Sequence, residues 1–418
     1  MLVTQPESIQ RQASGPRIGL AVAGGGPVGL IYEIGALRAL DEALEGIDFN
    51  NLDVYVGVSA GAVVAALLAN QMKTGQICHT FISNESEEHP LDPQIFLTPA
   101  FGEYWRRLLS VPKLLWKSCS TYLQNPLDSG FLQSLTRLGR ALPSGVFDNE
   151  PIYEYLSRMW SAPGRTDDFR QLPNKLYVVA VDLDTGESVK FGAPGYDQVR
   201  ISRAVQASTA LPGLYPPVEI DGRYFVDGAL RKTMHASVAL QEGLDLLFCL
   251  NPLVPFDARL AAAAGRPTQV GRLVEGGLPA VLSQTFRTLI HSRLQVGMEK
   301  YNTEFEHSDV ILFEPNRDDA KMFFTNVFSF SGRRWVCEHA YQTTREDLLA
   351  RRAELEPILA RHGIRMRLDV LEDRDRHYYS SLRNQRGLAA PAPYRGRLVR
   401  ELSATLDRLE EITSGTRG

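Results

Sequence analysis

The chain has few cysteines, no long apolar run and no strong charge of either sign, and each shortage removes a class of protein. Its four cysteines (Cys78, Cys119, Cys249, Cys337) are widely scattered, and none pairs at metal-ligand spacing. That argues against a disulfide framework and leaves buried or free thiols in a reduced protein. The net charge of −4 offers no electrostatic footprint for nucleic acid. The most apolar long run, Val54 to Ala69, is interrupted by Gly and Ser and is too short to span a bilayer comfortably. The N-terminal stretch MLVTQPESIQRQASGPR lacks the apolar core of a signal peptide. No D-x-D-x-D-G loop and no H-E-x-x-H helix occurs, so no catalytic metal is expected. The expectation is a soluble, cytoplasmic protein of ordinary globular composition, with 44% hydrophobic and 22% charged residues.

What is present begins at RIGLAVAGGGPVGLIYEIGALRAL, Arg17 to Leu40. Gly24, Gly26 and Gly29 fit G-x-G-x-x-G between a strand-like run and a helical one, the setting of a dinucleotide fingerprint. The helix carries apolar Leu30, Ile34, Leu37, Leu40 and Leu44 on one face. A second strand, VYVGV, leads through a sharp turn into the small-residue helix AVVAALLAN. The opening order strand–helix–strand–helix predicts an α/β fold with a mainly parallel sheet. Further on, Leu176 to Gly192 reads as a hairpin around DTGE. A helix, a Pro-rich turn and a short hairpin turning at Asp221–Gly222 come next, and LDLLFCLNP and DVILFEP read as buried strands.

A dinucleotide site wants an acidic residue at the end of the second strand. Here that strand ends in Gly57-Val58-Ser59-Ala60-Gly61, which is G-x-S-x-G, and a helix follows directly. That is the layout of a nucleophile elbow, which projects a serine hydroxyl from a tight strand-to-helix turn. The helix N-terminus adds a positive dipole and free N–H groups. Gly24 to Gly29 then gain a second meaning, as backbone donors for an oxyanion at the same sheet edge. A serine nucleophile needs a base. Asp227-Gly228-Ala229, at the end of a short strand, offers a carboxylate on a tight turn.

Three blocks together resemble the patatin-like phospholipase family: GGGPVG, GVSAG and ASTALPGLYPPVEIDGRYFVDGAL. They are similar to its glycine-rich oxyanion loop, its serine elbow and its proline-rich segment ending in D-G-A/G, and the likeness covers roughly Arg17 to Pro315. The resemblance implies a three-layer α/β/α domain and ester hydrolysis through an acyl-serine, on a Ser–Asp dyad and without a cofactor. Carried over, Ser59 is the nucleophile and Asp227 its base. The backbone of Gly24, Gly25 and Gly26 binds the oxyanion, with Gly29, Gly57, Gly61, Gly228 and Ala229 supporting the turns. The family's loop usually carries Arg or Lys where this chain has Val28, which puts a preference for phosphate headgroups in doubt.

The organisation expected from sequence is a disordered leader over 1–16, a catalytic domain over 17–315 with a helical insert or lid at about 72–145, and a helical extension over 316–418 with a flexible tail from Tyr378. The aromatic-basic segment 101–123, with Tyr104, Trp105, Arg106, Arg107, Lys113, Trp116 and Lys117, suits either a lid packed on the core or peripheral contact with a membrane. The expected partner is a lipid or acyl-ester substrate, and nothing in the sequence speaks to oligomeric state. His235, His339 and His377 are read as structural or surface residues, and Asp182 and Asp184 as caps of the hairpin turn. Two other readings stay open: a FAD- or NAD-binding oxidoreductase built on the glycine turn, and a weakly catalytic protein that binds lipid surfaces.

Overall fold

The first strand, β1 (Ile18–Val22), is apolar and buried throughout, as a strand covered on both faces must be. The computed structural model describes residues 15–83, 93–96, 98–100, 144–265, 273–325 and 332–384. After β1 come α1 (Gly26–Ala43), a two-residue strand β2 (Leu44–Glu45), β3 (Val54–Val58) and α2 (Ala60–Ala69). Pro27 sits in the first turn of α1, where a backbone N–H has no intrahelical partner to lose. The chain continues with α3 (Glu150–Trp160), the hairpin strands β4 (Lys175–Asp182) and β5 (Ser188–Phe191), and α4 (Ile201–Ser208). A second hairpin joins β6 (Val218–Ile220) to β7 (Arg223–Asp227). Asp221 and Gly222 both have positive φ there, as a two-residue hairpin turn requires. Then follow α5 (Ala236–Leu240), β8 (Leu246–Leu250), α6 (Gly277–Glu304) and β9 (Asp309–Phe313). The last labelled elements are α7 (Arg333–Ala350), α8 (Arg352–Arg361) and β10 (Arg365–Met366), which pairs with β2.

One mixed sheet organises these elements in the order β6-β7-β4-β3-β1-β8-β9, with β5 also on β4. The five strands from β4 to β9 run parallel, and β5, β6 and β7 add antiparallel pairings at one side. The chain winds outward from β1 in one direction through β3 and β4, then returns to its other side through β8 and β9. Such a switch point opens a crevice at the carboxyl ends of the strands.

Successive side chains of a strand face opposite ways, so the sheet feeds two cores. Leu20 and Val22 join the larger core, built with α1, α2, α3, α4, α7 and α8. Ala21 and Ala23 join the smaller one, closed by α5 and by Leu294 and Tyr301 of α6. The result is the three-layer α/β/α architecture expected, with helices of the C-terminal region. Val336, Cys337, Ala340 and Tyr341 of α7 lie in the larger core with α1, so this helix completes the hydrophobic interior. Among the described residues, no helix is long and apolar enough to cross a membrane.

Candidate active site

Register alone brings the first two motifs together. Val22, the last residue of β1, pairs with Gly57 of β3, so both chains leave the sheet at one edge. Gly24 to Gly26 therefore lead into α1 beside the turn that leads into α2. Across β3, Val58 pairs with Val179 of β4, and the next residue, Ala180, pairs with Asp227 of β7. Two strand pairings thus carry the third motif to the same place.

Ser59 holds φ 53° and ψ −125°, a conformation that L-residues avoid. The strain is held by its surroundings. The Ser59 N–H donates to Ser208 Oγ at 2.8 Å, and Ser208 Oγ donates to the Val179 carbonyl at 2.6 Å. Gly61 permits the turn: a Cβ there would lie 2.4 Å from the carbonyl oxygens of Val22 and Ala23. Gly24 lets the glycine turn approach the serine, since a Cβ on it would come 2.9 Å from Ser59 Cβ and 3.2 Å from Ala229 Cβ.

Ser59 Oγ donates to Asp227 Oδ2 at 2.6 Å. The other carboxylate oxygen, Oδ1, accepts the Ala229 N–H at 2.9 Å across the tight turn that Gly228 opens. Asp227 is buried, and loss of hydration pushes its carboxyl up to about 6 against the pull of these two hydrogen bonds. Near neutral pH the group is ionised yet basic enough to take a proton from a neighbouring hydroxyl.

The glycine turn divides its backbone donors. The Gly24 N–H donates to the Thr233 carbonyl at 3.3 Å. Gly29 N–H returns to the Gly25 carbonyl inside the first turn of α1. Among the described residues, no acceptor takes the N–H of Gly25 or Gly26, the cap and first residue of that helix. Val28, at the position where this chain departs from the family's usual cation, is 4% exposed and packs in the larger core.

A cavity of about 90 Å³ opens over Ser59 and Asp227. Its walls are apolar, from Leu30, Val63, Phe96, Ile152, Leu211 and Leu214. No role at the site was assigned to these wall residues or to Ser208 from sequence, although Ser208, Leu211 and Leu214 lie in the proline-rich block that precedes Asp227. Val63, Phe96 and Ile152 come from separate elements, and no spacing marks them.

The three histidines lie elsewhere. His235 is buried beside the Asp227–Ala229 turn, with Nε2 3.4 Å from the Gly228 carbonyl, and burial lowers its pKa to about 4. His339 pairs with Asp319 and His377 with Glu338. Asp182 accepts the N–H groups of Asp184 and Thr185 and pairs with Arg223, so it holds the hairpin turn as expected. Cys78, Cys249 and Cys337 are buried free thiols. Cys119, residues 1–14 of the expected leader over 1–16, the segment 101–123 and the part from 385 onward of the tail expected from Tyr378 lie outside the described residues.

The model of the patatin-like phospholipase family matches residues 20–240, which spans the glycine turn, the serine elbow and the Asp-Gly-Ala turn. The chain belongs to that family. It is 26% identical over 246 residues to an uncharacterised NTE family protein of Mycobacterium bovis and, equally, to one of Mycobacterium tuberculosis. Each match takes in 58% of this chain and 32% of the relative, so the chain spans about a third of the length of these relatives. Among solved structures it is similar to VipD from Legionella pneumophila, at 15% identity and a TM-score of 0.37, over 81% of this chain and 67% of that one. The type III effector ExoU gives 19% identity and a TM-score of 0.34, over 81% and 53%.

Proposed function

We propose that this chain is a serine lipid acyl hydrolase, a carboxylic ester hydrolase that works through an acyl-serine on the pair Ser59 and Asp227. The observation that carries the reading is the 2.6 Å hydrogen bond from Ser59 Oγ to Asp227 Oδ2, at the floor of an apolar cavity. The family supports the lipid character of the substrate.

Ser59 Oγ attacks the ester carbonyl carbon while Asp227 takes the hydroxyl proton. The carbonyl oxygen becomes an oxyanion, for which the Gly25 and Gly26 N–H groups at the start of α1 are the available donors. Collapse breaks the bond to the leaving alcohol, which takes the proton from Asp227. The acyl chain, now on Ser59, lies along Leu30, Val63 and Leu214. Asp227 then draws a proton from water, the hydroxide attacks the acyl carbon, and the fatty acid leaves as Ser59 is reprotonated. His235, neutral and bound to a backbone carbonyl, takes no part.

The test is hydrolysis of a short-chain p-nitrophenyl ester and of a fluorogenic phospholipid, with fluorophosphonate labelling of Ser59 in the same samples. Ser59→Ala and Asp227→Asn are expected to lower kcat by at least about 10³-fold. His235→Asn, which keeps a residue tolerant of the left-handed backbone at that position, is expected to retain turnover. A wild-type protein that neither labels nor turns over either substrate sinks the proposal.

A further inference from the structure

We propose that the outer side of α6, with the basic hollow beside it, is the face by which this protein docks on an anionic lipid surface. The helix is apolar on two opposite sides. Arg287, Ile290, Leu294 and Tyr301 face inward and are buried. Leu278, Leu282, Phe286, Leu289 and Val296 face outward, from 38% to 69% exposed. Their spacing of three, four or seven residues lines them up along five turns. An outer-layer helix of a domain in water carries polar residues on that side. A row of five exposed apolar side chains there, with Thr285 and Arg293 among them, calls for an occupant.

Charge says which occupant. Between α6 and the segment Arg231–Ser237 lies a hollow of about 400 Å³, lined by Arg231, Lys232, Arg293 and Lys300. Lys300 pairs with Glu304, but among the described residues no carboxylate pairs with Arg231, Lys232 or Arg293. Three uncompensated cations thus sit together on a chain whose net charge is −4. Apolar side chains beside clustered cations suit a bilayer interface, where the first enter the acyl boundary and the second meet phosphate and carboxylate headgroups. A two-fold contact between copies through this stripe would instead bring like cations together.

Position agrees. Gln284 exchanges two hydrogen bonds with the Phe256 backbone, and Arg287 donates to the Val254 carbonyl. That segment follows Pro252, whose ring lies against the oxyanion turn at Gly25. The stripe therefore starts at the sheet edge where Ser59 opens. The floor of the hollow reaches the site as well, because the Thr233 carbonyl holds the Gly24 N–H.

The choice of lipid as occupant rests on the acyl-hydrolase reading of the neighbouring site, so docking and chemistry are measured apart. Flotation is carried out on the full chain carrying Ser59→Ala, with vesicles of phosphatidylcholine alone or mixed with phosphatidylserine. Binding is expected only with the anionic vesicles and is expected to fall with salt. Lys232→Glu combined with Arg293→Glu lowers the partition by at least about tenfold. Leu282→Asp combined with Phe286→Asp, at exposed positions, abolishes it. Equal binding to both vesicle types, or variants that bind like the parent, overturns the proposal. So does a dimer in solution that Phe286→Asp dissociates without any vesicle binding. Fluorophosphonate labelling of the wild type without flotation leaves the hydrolase and removes the docking face. Flotation without labelling does the reverse.

Discussion

Helix α1 lies between the sheet and α7, and nearly all its residues are buried, Glu33 included, whose carboxyl burial pushes well above the usual range. Helix α6 lies on the opposite side of the same sheet and buries one row of residues, while a second apolar row faces out. Both helices carry apolar residues on more than one side, α6 with polar residues between its two rows. What separates them is cover: α7 and α8 close over α1, and among the described residues no helix closes over α6. One side of the molecule is a finished interior. The other is a surface that carries an exposed apolar row, and the candidate site lies at the sheet edge between them.

The largest expected effect is on the finished side. Leu37 on α1 and Leu348 on α7 are essentially without exposure and belong to one core. Leu37→Ala or Leu348→Ala is expected to cost about 2–5 kcal/mol of stability, the transfer loss plus the cavity left behind. Urea unfolding gives the number as a lower midpoint at unchanged slope. A loss well under 1 kcal/mol would mean that α7 is an appended helix that only leans on the domain. The comparison between the two sides would then fail.

That expectation also marks what was legible in the sequence. The geometry of the candidate site was, because each motif fixes a backbone turn locally. G-x-S-x-G makes a strained elbow at the end of a strand, and Asp-Gly-Ala aims a carboxylate within three residues. The mostly parallel sheet followed from strand–helix alternation. The cavity wall was not legible, because Phe96, Ile152 and Leu214 meet only after folding. Nor was α6: its apolar residues on both sides blur the helical period, and Gly276, Gly277 and Pro279 at its start read as a break. The sequence reading set the C-terminal helices apart as an extension. Only packing shows that Tyr341 reaches across to bond Glu42 of α1.

The next effect lies at the meeting edge. Asp227 is buried from the finished side by Ser59 and the strands, and its carboxyl is held at about 6 by lost hydration. In the proposed reaction Asp227 can serve as a base only when ionised. The kcat/KM for a soluble ester is expected to rise about tenfold per pH unit below 6 and to level off above it. His235→Asn is expected to leave that limb in place, because His235 stays neutral down to about 4. The same shift acts on stability with a definite sign. Between the ordinary value of 3.8 and about 6, the folded protein keeps a proton that the unfolded chain has released. Stability therefore falls as pH rises through this window, and Asp227→Asn is expected to flatten that part of the profile. A rate limb near 4 instead of 6 would show that the site is wetter than the surrounding core.

The smallest expected effect sharpens the comparison most. Leu289 on the outer row of α6 is 56% exposed, and Leu37 is 1% exposed. Leu289→Ala deletes the same atoms as Leu37→Ala, from the outer of the two apolar rows of α6. Nothing packs tightly around the outer side chain, so the change is expected to stay within about 0.5 kcal/mol in urea unfolding. The deletion also trades leucine for the best helix former, so any small shift has no built-in bias toward loss. A cost of about 2 kcal/mol or more would mean that something covers Leu289 in the free protein. The outer row would then be a second interior, and the face proposed to meet a lipid surface would not be available to it.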